Sequence, residues 1–362
     1  ALALIRQQRL VEAHALCRCI CEREPAVAEN WFMLATVADQ TGQLDEALDS
    51  YNQALRLQPA MPGAWFNKGM LCHRRGDSDQ AEICYREVLR LDGDFAPACI
   101  NLGNVLFARG DVQDAESCYR RAIARQPDSV DALANLGKCL QSLGRFSHAE
   151  SFFRRALAIQ PQLADLHNEL GMSLNGQART AEAAHAFRQA AALQPDFFTA
   201  SSNLLLTLNY SEDLAPGQVF NEHRQWGRTA EARVMPYREH PVTPDPDRRL
   251  RIGYISPDFR DHSVACFFAP LLANHDDAVV ETFCYSDVQQ PDAVTRQLMG
   301  NADHWRATAG MSDTQAAERV RADCIDILVD LAGHTARNRL VLFATRPAPL
   351  QVSWLGYPNT TG

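Results

Sequence analysis

The sequence predicts an α-solenoid of paired helices followed by an α/β domain built on a parallel sheet. Two observations support this prediction. Residues recur with a period of 34 over the first part of the chain, and apolar strand-like segments alternate with helical ones over the last part. A length of 362 residues also exceeds one ordinary domain, so we expect at least two.

Four kinds of residue recur in phase. A proline closes most periods, at Pro25, Pro59, Pro127, Pro161 and Pro195, with Gly93 in the remaining place. Alanine recurs at Ala13, Ala47, Ala81, Ala115, Ala149 and Ala183. An aromatic follows five of these alanines, at Tyr51, Tyr85, Tyr119, Phe153 and Phe187. Small residues recur at Ala35, Gly69, Gly103, Gly137 and Gly171. The pattern resembles tetratricopeptide repeats, in which small residues let two helices cross closely and an aromatic fills the space beside them.

The period sets the limits of each repeat. Five full repeats are predicted within 28–197, at 28–61, 62–95, 96–129, 130–163 and 164–197. Residues 1–27 fit the end of an earlier repeat, and 198–211 supply a capping helix, so the solenoid is expected over 1–211. Glycines should form the turn inside four repeats, at Gly42, Gly76, Gly110 and Gly144.

A solenoid of this kind presents a groove lined by the first helix of each repeat. Asparagine stands two residues before the small residue at Asn67, Asn101 and Asn135, and it returns in phase at Asn203. A primary amide both donates and accepts hydrogen bonds, which suits the backbone of a bound peptide. The alternative is that these asparagines only cap or bridge neighbouring helices.

A helix and a linker are expected over 212–249. The helix is predicted at 216–235, and the stiff linker contains Pro236, Pro241, Pro244 and Pro246.

Residues 250–362 are expected to form one Rossmann-like domain. Strands are predicted at 250–256, 279–286, 304–307, 325–331 and 350–356, and helices at 264–274, 291–301, 313–322 and 335–345. This alternation predicts a parallel sheet with helices on both faces. Ligands bind beyond the carboxyl ends of such strands, so the loops of interest are 256–263, 286–291, 332–335 and 356–362.

The first of these loops contains an acid–base pair. Asp258 and His262 lie four residues apart, and His262 comes just before a predicted helix. The pair suits a general base oriented by a carboxylate, or alternatively a turn-capping aspartate beside a structural histidine. The fingerprints G-x-G-x-x-G, G-x-x-x-x-G-K-[ST] and G-x-S-x-G do not occur there. His262 and Cys266 have no evident third ligand, so no metal site is expected.

The composition of the chain disfavours some classes of binding partner. The chain carries 35 basic and 44 acidic side chains, a formal net charge of −9, which does not favour nucleic-acid binding. Apolar runs are too short to cross a membrane, and no signal peptide is evident. The eleven cysteines are odd in number and lack C-x-x-C pairs, which favours a reducing, cytoplasmic setting.

The phased repeats, the segment LRIGYISPDFRDH and the segment RPAPLQVSWLGYPNTTG together resemble the protein O-linked N-acetylglucosamine transferases, in a bacterial form. The resemblance implies tetratricopeptide repeats fused to a GT-B fold of two Rossmann-like lobes, with this chain corresponding to the repeats and the amino-terminal lobe. It implies inverting, metal-independent transfer of N-acetylglucosamine from UDP-GlcNAc to Ser or Thr hydroxyls, with no cofactor.

The resemblance also assigns residues. Asp258 and His262 match the acidic residue and histidine of the family's active-site loop, and Leu355, Gly356 and Pro358 match its sugar-nucleotide contact motif. The uridine pocket and a phosphate-binding lysine are implied to lie in the second lobe. Residues 248–362 themselves contain no lysine.

Two rival interpretations remain at this point. Plant relatives of the SPINDLY type share the architecture and transfer fucose from GDP-fucose, and the residues that would choose the base lie in the second lobe. Alternatively, the chain is a non-catalytic scaffold whose repeats bind a partner protein. The sequence does not identify the acceptor proteins, the oligomeric state or the number of repeats before Ala1.

Overall fold

The computed structural model describes residues 1–211, 214–242, 245 and 247–362. It divides into two compact units, Ala1–Gln162 and Leu163–Gly362. Pro244 and Pro246 of the expected linker lie outside the described residues. Over the residues described, no helix is both long and apolar enough to cross a membrane.

The first unit is a series of helix pairs. Its helices are α1 (Leu2–Arg6), α2 (Leu10–Arg23), α3 (Ala28–Gln40), α4 (Leu44–Leu57), α5 (Pro62–Arg74), α6 (Ser78–Leu91), α7 (Ala96–Arg109), α8 (Val112–Arg125), α9 (Val130–Ser142) and α10 (Phe146–Ile159). From α3 onward, each predicted repeat holds one pair. The turn glycines Gly42, Gly76, Gly110 and Gly144 have φ of +80°, +80°, +96° and +69°, a left-handed conformation that costs glycine little.

The small residue and the aromatic of each repeat meet as the sequence predicts. A Cβ added to Gly103 on α7 would lie 2.6 Å from Tyr119 Cε1 on α8, and one added to Gly137 on α9 would lie 2.5 Å from Phe153 Cζ on α10. Tyr119 and Phe153 are fully buried. The aromatic ring therefore occupies the space that the missing side chain leaves, and the close packing of the pair depends on that fit.

The second unit continues the helix pairs and then forms the sheet. Its elements are α11 (Ala164–Asn175), α12 (Thr180–Leu193), α13 (Phe198–Leu208), α14 (Pro216–Glu231), β1 (Leu250–Ser256), α15 (Ser263–Leu272), β2 (Val280–Ser286), α16 (Ala293–Asn301), β3 (His304–Ala307), α17 (Asp313–Ala322), β4 (Ile327–Asp330), α18 (Leu340–Ala344) and β5 (Leu350–Ser353). The boundary between the units falls within the predicted solenoid, between 130–163 and 164–197. The predicted domain limits 1–211, 212–249 and 250–362 stay predictions.

The five strands form one parallel sheet in the order β3-β2-β1-β4-β5. Ile252 of β1 lies opposite Thr282 of β2 on one side and Ile327 of β4 on the other. One face of the sheet buries Phe268 of α15 and Leu298 of α16. The other buries residues of α17 and α18, so both faces of the sheet are covered. The order of strands reverses between β1 and β4, where ligands of such sheets bind.

Two predicted helices are shorter in the structure. α14 ends at Glu231 instead of 235, and only Leu340–Ala344 of the predicted helix 335–345 is helical. The buried Asp330 carboxylate accepts hydrogen bonds from the backbone N–H groups of Ala332 and Gly333, which shapes the chain after β4 as a loop. Arg337 has φ of +60°, which no α-helix accommodates.

Candidate functional site

The loop after β1 is held in place by three hydrogen bonds to its backbone. The Asp258 N–H donates to Ser256 Oγ at 3.0 Å, and the Asp261 N–H donates to Asp292 Oδ2 at 2.7 Å. The Val264 N–H, at the start of α15, donates to His262 Nδ1 at 3.3 Å. Phe259 is fully buried in the core below. The loop therefore has a defined shape at the carboxyl edge of the sheet.

His262 is the N-cap residue of α15, as its place before a helix suggests. Because Nδ1 accepts the Val264 N–H, the proton of the neutral ring must reside on Nε2. The side chain is 37% exposed. In this arrangement the Nε2–H group can donate a hydrogen bond to a ligand.

Asp258 does not orient His262 as the sequence predicts. Its Oδ2 lies 3.8 Å from His262 Nδ1, too far for a hydrogen bond, and its Oδ1 lies 3.5 Å from Arg260 Nη2. The Asp258 residue is 8% exposed. The structure brings the two predicted residues close together without forming the orienting bond, and their catalytic roles stay predictions.

A cavity of about 520 Å³ opens at this edge of the sheet. It is lined by residues that follow three different strands: Pro257, Asp258, Arg260, Val288, Gln289, Gln290, Asp292, Ala336 and Arg337. The sequence predicted the loops after β1 and β2 but assigned no role to Arg260, Arg337 or Asp292. The cavity lies where the strand order reverses, which is where a ligand is expected.

Asp292 links two of the loops. It caps α16 by accepting the Thr295 N–H at 2.8 Å, and it also accepts the Asp261 N–H. These backbone hydrogen bonds, that from Thr295 foremost, lower the pKa of Asp292 to about 2. Asp292 and Thr295 form a capping box, and the D-x-x-T spacing in the sequence is a signal that would have found it.

Arg339 fixes the loops that follow β2 and β3. Its Nε and Nη2 bind both carboxylate oxygens of Asp287 at 2.9 and 2.7 Å. It also binds Asp313 at 2.9 Å and donates to the backbone oxygens of Met311 and Thr308. The hydrogen bond with Asp287 is the main reason that the pKa of Arg339 is raised. A bidentate pair this well enclosed holds both loops at the rim of the sheet.

The predicted sugar-nucleotide motif lies at the same edge of the sheet. A Cβ on Gly356 would lie 1.8 Å from the Leu331 carbonyl oxygen, just beyond β4, so only glycine fits there. Leu355 has φ of +72° and is 37% exposed, and Pro358 is exposed. Contact of Leu355, Gly356 and Pro358 with a nucleotide sugar stays a prediction.

Tyr357, within that motif, enters a buried aromatic cluster that the sequence did not reveal. Its hydroxyl lies 2.7 Å from His223 Nε2 on α14 and 2.7 Å from Asn209 Nδ2. His334 packs at the same place, with ring centroids 4.6 Å from Trp226 and 5.3 Å from Tyr357. The sequence assigns no role to His223, whose partners come from distant segments of the chain.

Both histidines of this cluster are neutral. His334 Nδ1 lies 3.1 Å from Ser202 Oγ, and its Nε2 lies 3.1 Å from the Thr361 carbonyl oxygen. Burial lowers the pKa of His334 to about 3 and also lowers the pKa of His223. The two rings are therefore structural groups at neutral pH.

Two of the four predicted groove asparagines bridge neighbouring helices. In the first unit, Asn135 Nδ2 on α9 donates to Asn104 Oδ1 on α7 at 2.9 Å. In the second, Asn203 Nδ2 on α13 donates to Asn168 Oδ1 on α11 at 2.9 Å. The bridging alternative is thus present at Asn135 and Asn203, and peptide binding by Asn67, Asn101, Asn135 and Asn203 stays a prediction.

The described residues, 1–211, 214–242, 245 and 247–362, hold no cluster of three or more His, Cys, Asp or Glu side chains suited to a metal ion.

Comparison with known protein families identifies two kinds of domain. Residues 229–362 match Glycosyl transferase family 41, which takes in the whole sheet and its loops. Residues 100–164 match the tetratricopeptide repeat, and residues 31–130 match the middle TPR-like domain of cilia and flagella-associated protein 70.

Individual relatives agree with these assignments. The Petunia hybrida protein named probable UDP-N-acetylglucosamine–peptide N-acetylglucosaminyltransferase SPINDLY is 39% identical over 167 residues, which is 45% of this chain and 18% of the relative. The Caenorhabditis elegans UDP-N-acetylglucosamine–peptide N-acetylglucosaminyltransferase is 39% identical over 117 residues, 32% of this chain and 10% of the relative. The solved structure of a Thermobaculum terrenum O-GlcNAc transferase mutant has a TM-score of 0.65 and 36% identity, covering 74% of this chain and 51% of that one.

The chain spans about a fifth of the length of the SPINDLY relatives that it matches. It contains one segment that matches the tetratricopeptide repeat and another that matches Glycosyl transferase family 41. The resemblance to a bacterial form in particular stays a prediction.

Proposed function

We propose that this chain is the repeat region and amino-terminal lobe of an inverting glycosyltransferase that moves N-acetylglucosamine from UDP-GlcNAc to Ser or Thr hydroxyls of proteins. The main support is that the family 41 match includes the polar loop 257–262, which borders a cavity where the strand order reverses. The names of the relatives include UDP-N-acetylglucosamine as donor and a peptide as acceptor.

His262 acts on the acceptor hydroxyl in this proposal. In inverting transfer the hydroxyl oxygen forms a bond to the anomeric carbon while the bond to UDP breaks, and the hydroxyl proton passes to a base. The observed ring carries its proton on Nε2, so it cannot accept another there. To act as the base, the ring exchanges its bond with the Val264 N–H for a bond from Nδ1–H to Asp258, 3.8 Å away. Such bonds often form only when substrate is bound.

The leaving diphosphate requires positive charge that the lobe supplies only in part. Arg260 and Arg337 line the cavity, and residues 248–362 contain no lysine. We therefore place the phosphate-binding lysine and the uridine pocket in a second lobe, as the family resemblance implies, and we assign Leu355, Gly356 and Pro358 to the sugar-nucleotide side of this one. The reaction in this proposal needs no metal and no cofactor.

The repeats bind the acceptor polypeptide in the proposal. Asn67, Asn101, Asn135 and Asn203 stand at the same position of the 34-residue period, with Glu169 at that position between the last two, and each carries an amide that pairs with a peptide group. The setting is the cytoplasm. The eleven cysteines are free thiols, which is the state expected in a reducing compartment.

An incorporation assay on the full-length protein tests this function. The enzyme is incubated with an acceptor-protein extract and radiolabelled UDP-GlcNAc or GDP-fucose, with and without EDTA. Label from UDP-GlcNAc that persists in EDTA is the expected result. Label from GDP-fucose alone would overturn the donor assignment and retain the glycosyltransferase class. Incorporation from neither donor would favour the non-catalytic scaffold.

A further inference from the structure

The aromatic residue of the repeat carries a hydroxyl in some repeats of the first unit and lacks it in another. It is tyrosine in three consecutive repeats, at Tyr51, Tyr85 and Tyr119, and phenylalanine in the next, at Phe153. All four rings are buried, and those of Tyr85, Tyr119 and Phe153 fill the space beside the glycine of their repeat. Packing alone therefore does not require the hydroxyl, because Phe153 fills the same space without it.

The Tyr119 hydroxyl reaches the asparagines of the neighbouring helices. It donates to Asn104 Oδ1 at 2.9 Å, and Asn135 Nδ2 donates to the same oxygen at 2.9 Å. Both lone pairs of this oxygen are thereby used. The Tyr119 residue is 1% exposed, so its hydroxyl proton depends on a protein acceptor.

That dependence selects one orientation of the two amides. If both amides turned over, Asn104 would present its NH₂ to the tyrosine and to the oxygen of Asn135, and the two amides would still be paired. The buried tyrosine proton would then lose its acceptor, which disfavours the turned-over arrangement. The hydroxyl therefore fixes the direction of the amide pair.

This orientation decides which donor and which acceptor of the two amides remain for a ligand. With Asn104 Oδ1 turned toward Tyr119, the Asn104 NH₂ remains as a donor and Asn135 Oδ1 as an acceptor. A peptide group offers one acceptor and one donor in return. Both asparagines are half-buried, and Asn104 lines a cavity of about 260 Å³ together with Asn101 and Tyr85.

The two preceding repeats lack this arrangement. The positions that correspond to Asn104 hold Met70 and Thr36, which carry no side-chain amide, so the orientation argument applies to Tyr119 alone.

We propose that Tyr119 is a positioning residue for acceptor binding, whose hydroxyl holds the amides of Asn104 and Asn135 in the orientation that receives a peptide backbone. This inference rests on the proposed function, in which the groove binds the acceptor. It distinguishes this part of the groove from the repeat of Phe153, whose ring carries no hydroxyl.

Fluorescence polarisation on the full-length protein tests the inference without the catalytic reaction. The probe is a fluorescein-labelled peptide of Ala, Ser, Thr and Pro, long enough to span three repeats. If the lost hydroxyl leaves two amide orientations about equally populated, Tyr119→Phe should raise the Kd about twofold. Tyr254→Phe is the matched control, because it removes a buried hydroxyl that bonds His275 in the second unit, and its Kd should not change.

A second measurement distinguishes a change in amide orientation from a general loosening of the helix packing. The side-chain amide NMR signals of Asn104 and Asn135 should be single in the wild type and broadened or doubled in Tyr119→Phe, with helicity unchanged. Unaltered amide signals and an unaltered Kd in Tyr119→Phe would overturn the inference.

The asparagine variants keep this failure distinct from failure of the proposed function. If Asn101→Ala/Asn135→Ala weakens binding and the tyrosine variant does not, the groove proposal stands and the positioning role falls. If the asparagine variant binds like wild type, or if wild type does not bind the probe, acceptor binding by the groove is itself overturned.

Discussion

Tyr357 donates its hydroxyl hydrogen to His223 Nε2 over 2.7 Å. The direction of this bond is fixed, because His223 Nδ1 lies 2.7 Å from the Val219 carbonyl oxygen and must donate to it. Asn209 Nδ2 then donates to the tyrosine oxygen. The motif segment that contains Tyr357 is thereby attached to helices α13 and α14 as well as to the sheet.

Acid should destabilise the second unit through these rings. Burial lowers the pKa of His334 to about 3, whereas an unfolded histidine titrates near 6.5. As the pH falls below about 6.5, the unfolded chain binds a proton that the folded chain does not. The free energy of unfolding should therefore fall by up to about 1.4 kcal/mol per pH unit for this group between pH 6.5 and 3. His223, whose pKa is also lowered, adds to the same trend.

Urea unfolding of wild type and His334→Gln between pH 7 and pH 5 measures this effect. The variant should be less stable at pH 7 and should lose less stability on acidification. His185→Gln, at an exposed site, is the control and should match wild type. Parallel curves for wild type and His334→Gln would contradict the prediction.

Gly356→Ala should destabilise the fold strongly. The added Cβ would lie 1.8 Å from the Leu331 carbonyl oxygen, and backbone must move to admit it, at a cost of about 3 kcal/mol. Gly300→Ala serves as the control, because a Cβ there meets no atom within 4 Å and alanine suits a helix better by roughly 0.5 kcal/mol. Thermal unfolding should show a lower Tm for the first variant only; equal Tm values would refute this account of the motif glycine.

His262 has a capping role that can be separated from its proposed chemical role. His262→Ala should abolish transfer and also lose the cap of α15, at a cost of about 1 kcal/mol. Asparagine is a good N-cap residue, so His262→Asn should keep the stability while kcat falls about 10²- to 10⁴-fold. Turnover and urea unfolding of the intact enzyme are measured together. Activity near the wild-type value in His262→Asn would remove the histidine from the mechanism.

The groove asparagines should matter most for long acceptors. Replacing Asn67, Asn101 and Asn135 together by alanine removes donors and acceptors along three repeats, so KM should rise more for protein acceptors than for short peptides. Values of kcat should change little, because these residues do not touch the reacting atoms. An unchanged ratio of the two KM values would show that the amides serve only as bridges, as Asn135 does toward Asn104.

The regular part of the fold follows from local patterns that the sequence displays directly. Glycine at Gly110 marks the turn between α7 and α8, and the limits 96–129 contain that helix pair as predicted. Residues 335–339 are predicted as helix and are not helical in the structure, where Arg337 has a left-handed φ of +60°. An apolar pattern does not reveal such a backbone conformation.

The candidate site was predictable in its location and less so in its contacts. The order of strands and helices indicated the carboxyl edge, and Asp258 and His262 lie there. Whether His262 turns toward Asp258 or toward the Val264 N–H depends on the geometry of a helix start, which residue spacing does not determine. The cluster of Tyr357 with His223 was hidden for another reason, since it joins segments more than a hundred residues apart.

Each contact between a small residue and its aromatic, such as that of Gly103 with Tyr119, joins two helices of a single repeat. This contact therefore lies entirely within one repeat. Duplication or deletion of one complete repeat in the coding sequence would leave the same contact intact in all other repeats, because each repeat contacts only its neighbours. The length of polypeptide that the solenoid can bind then depends on the number of repeats, which gene rearrangement can change without altering the core of any repeat.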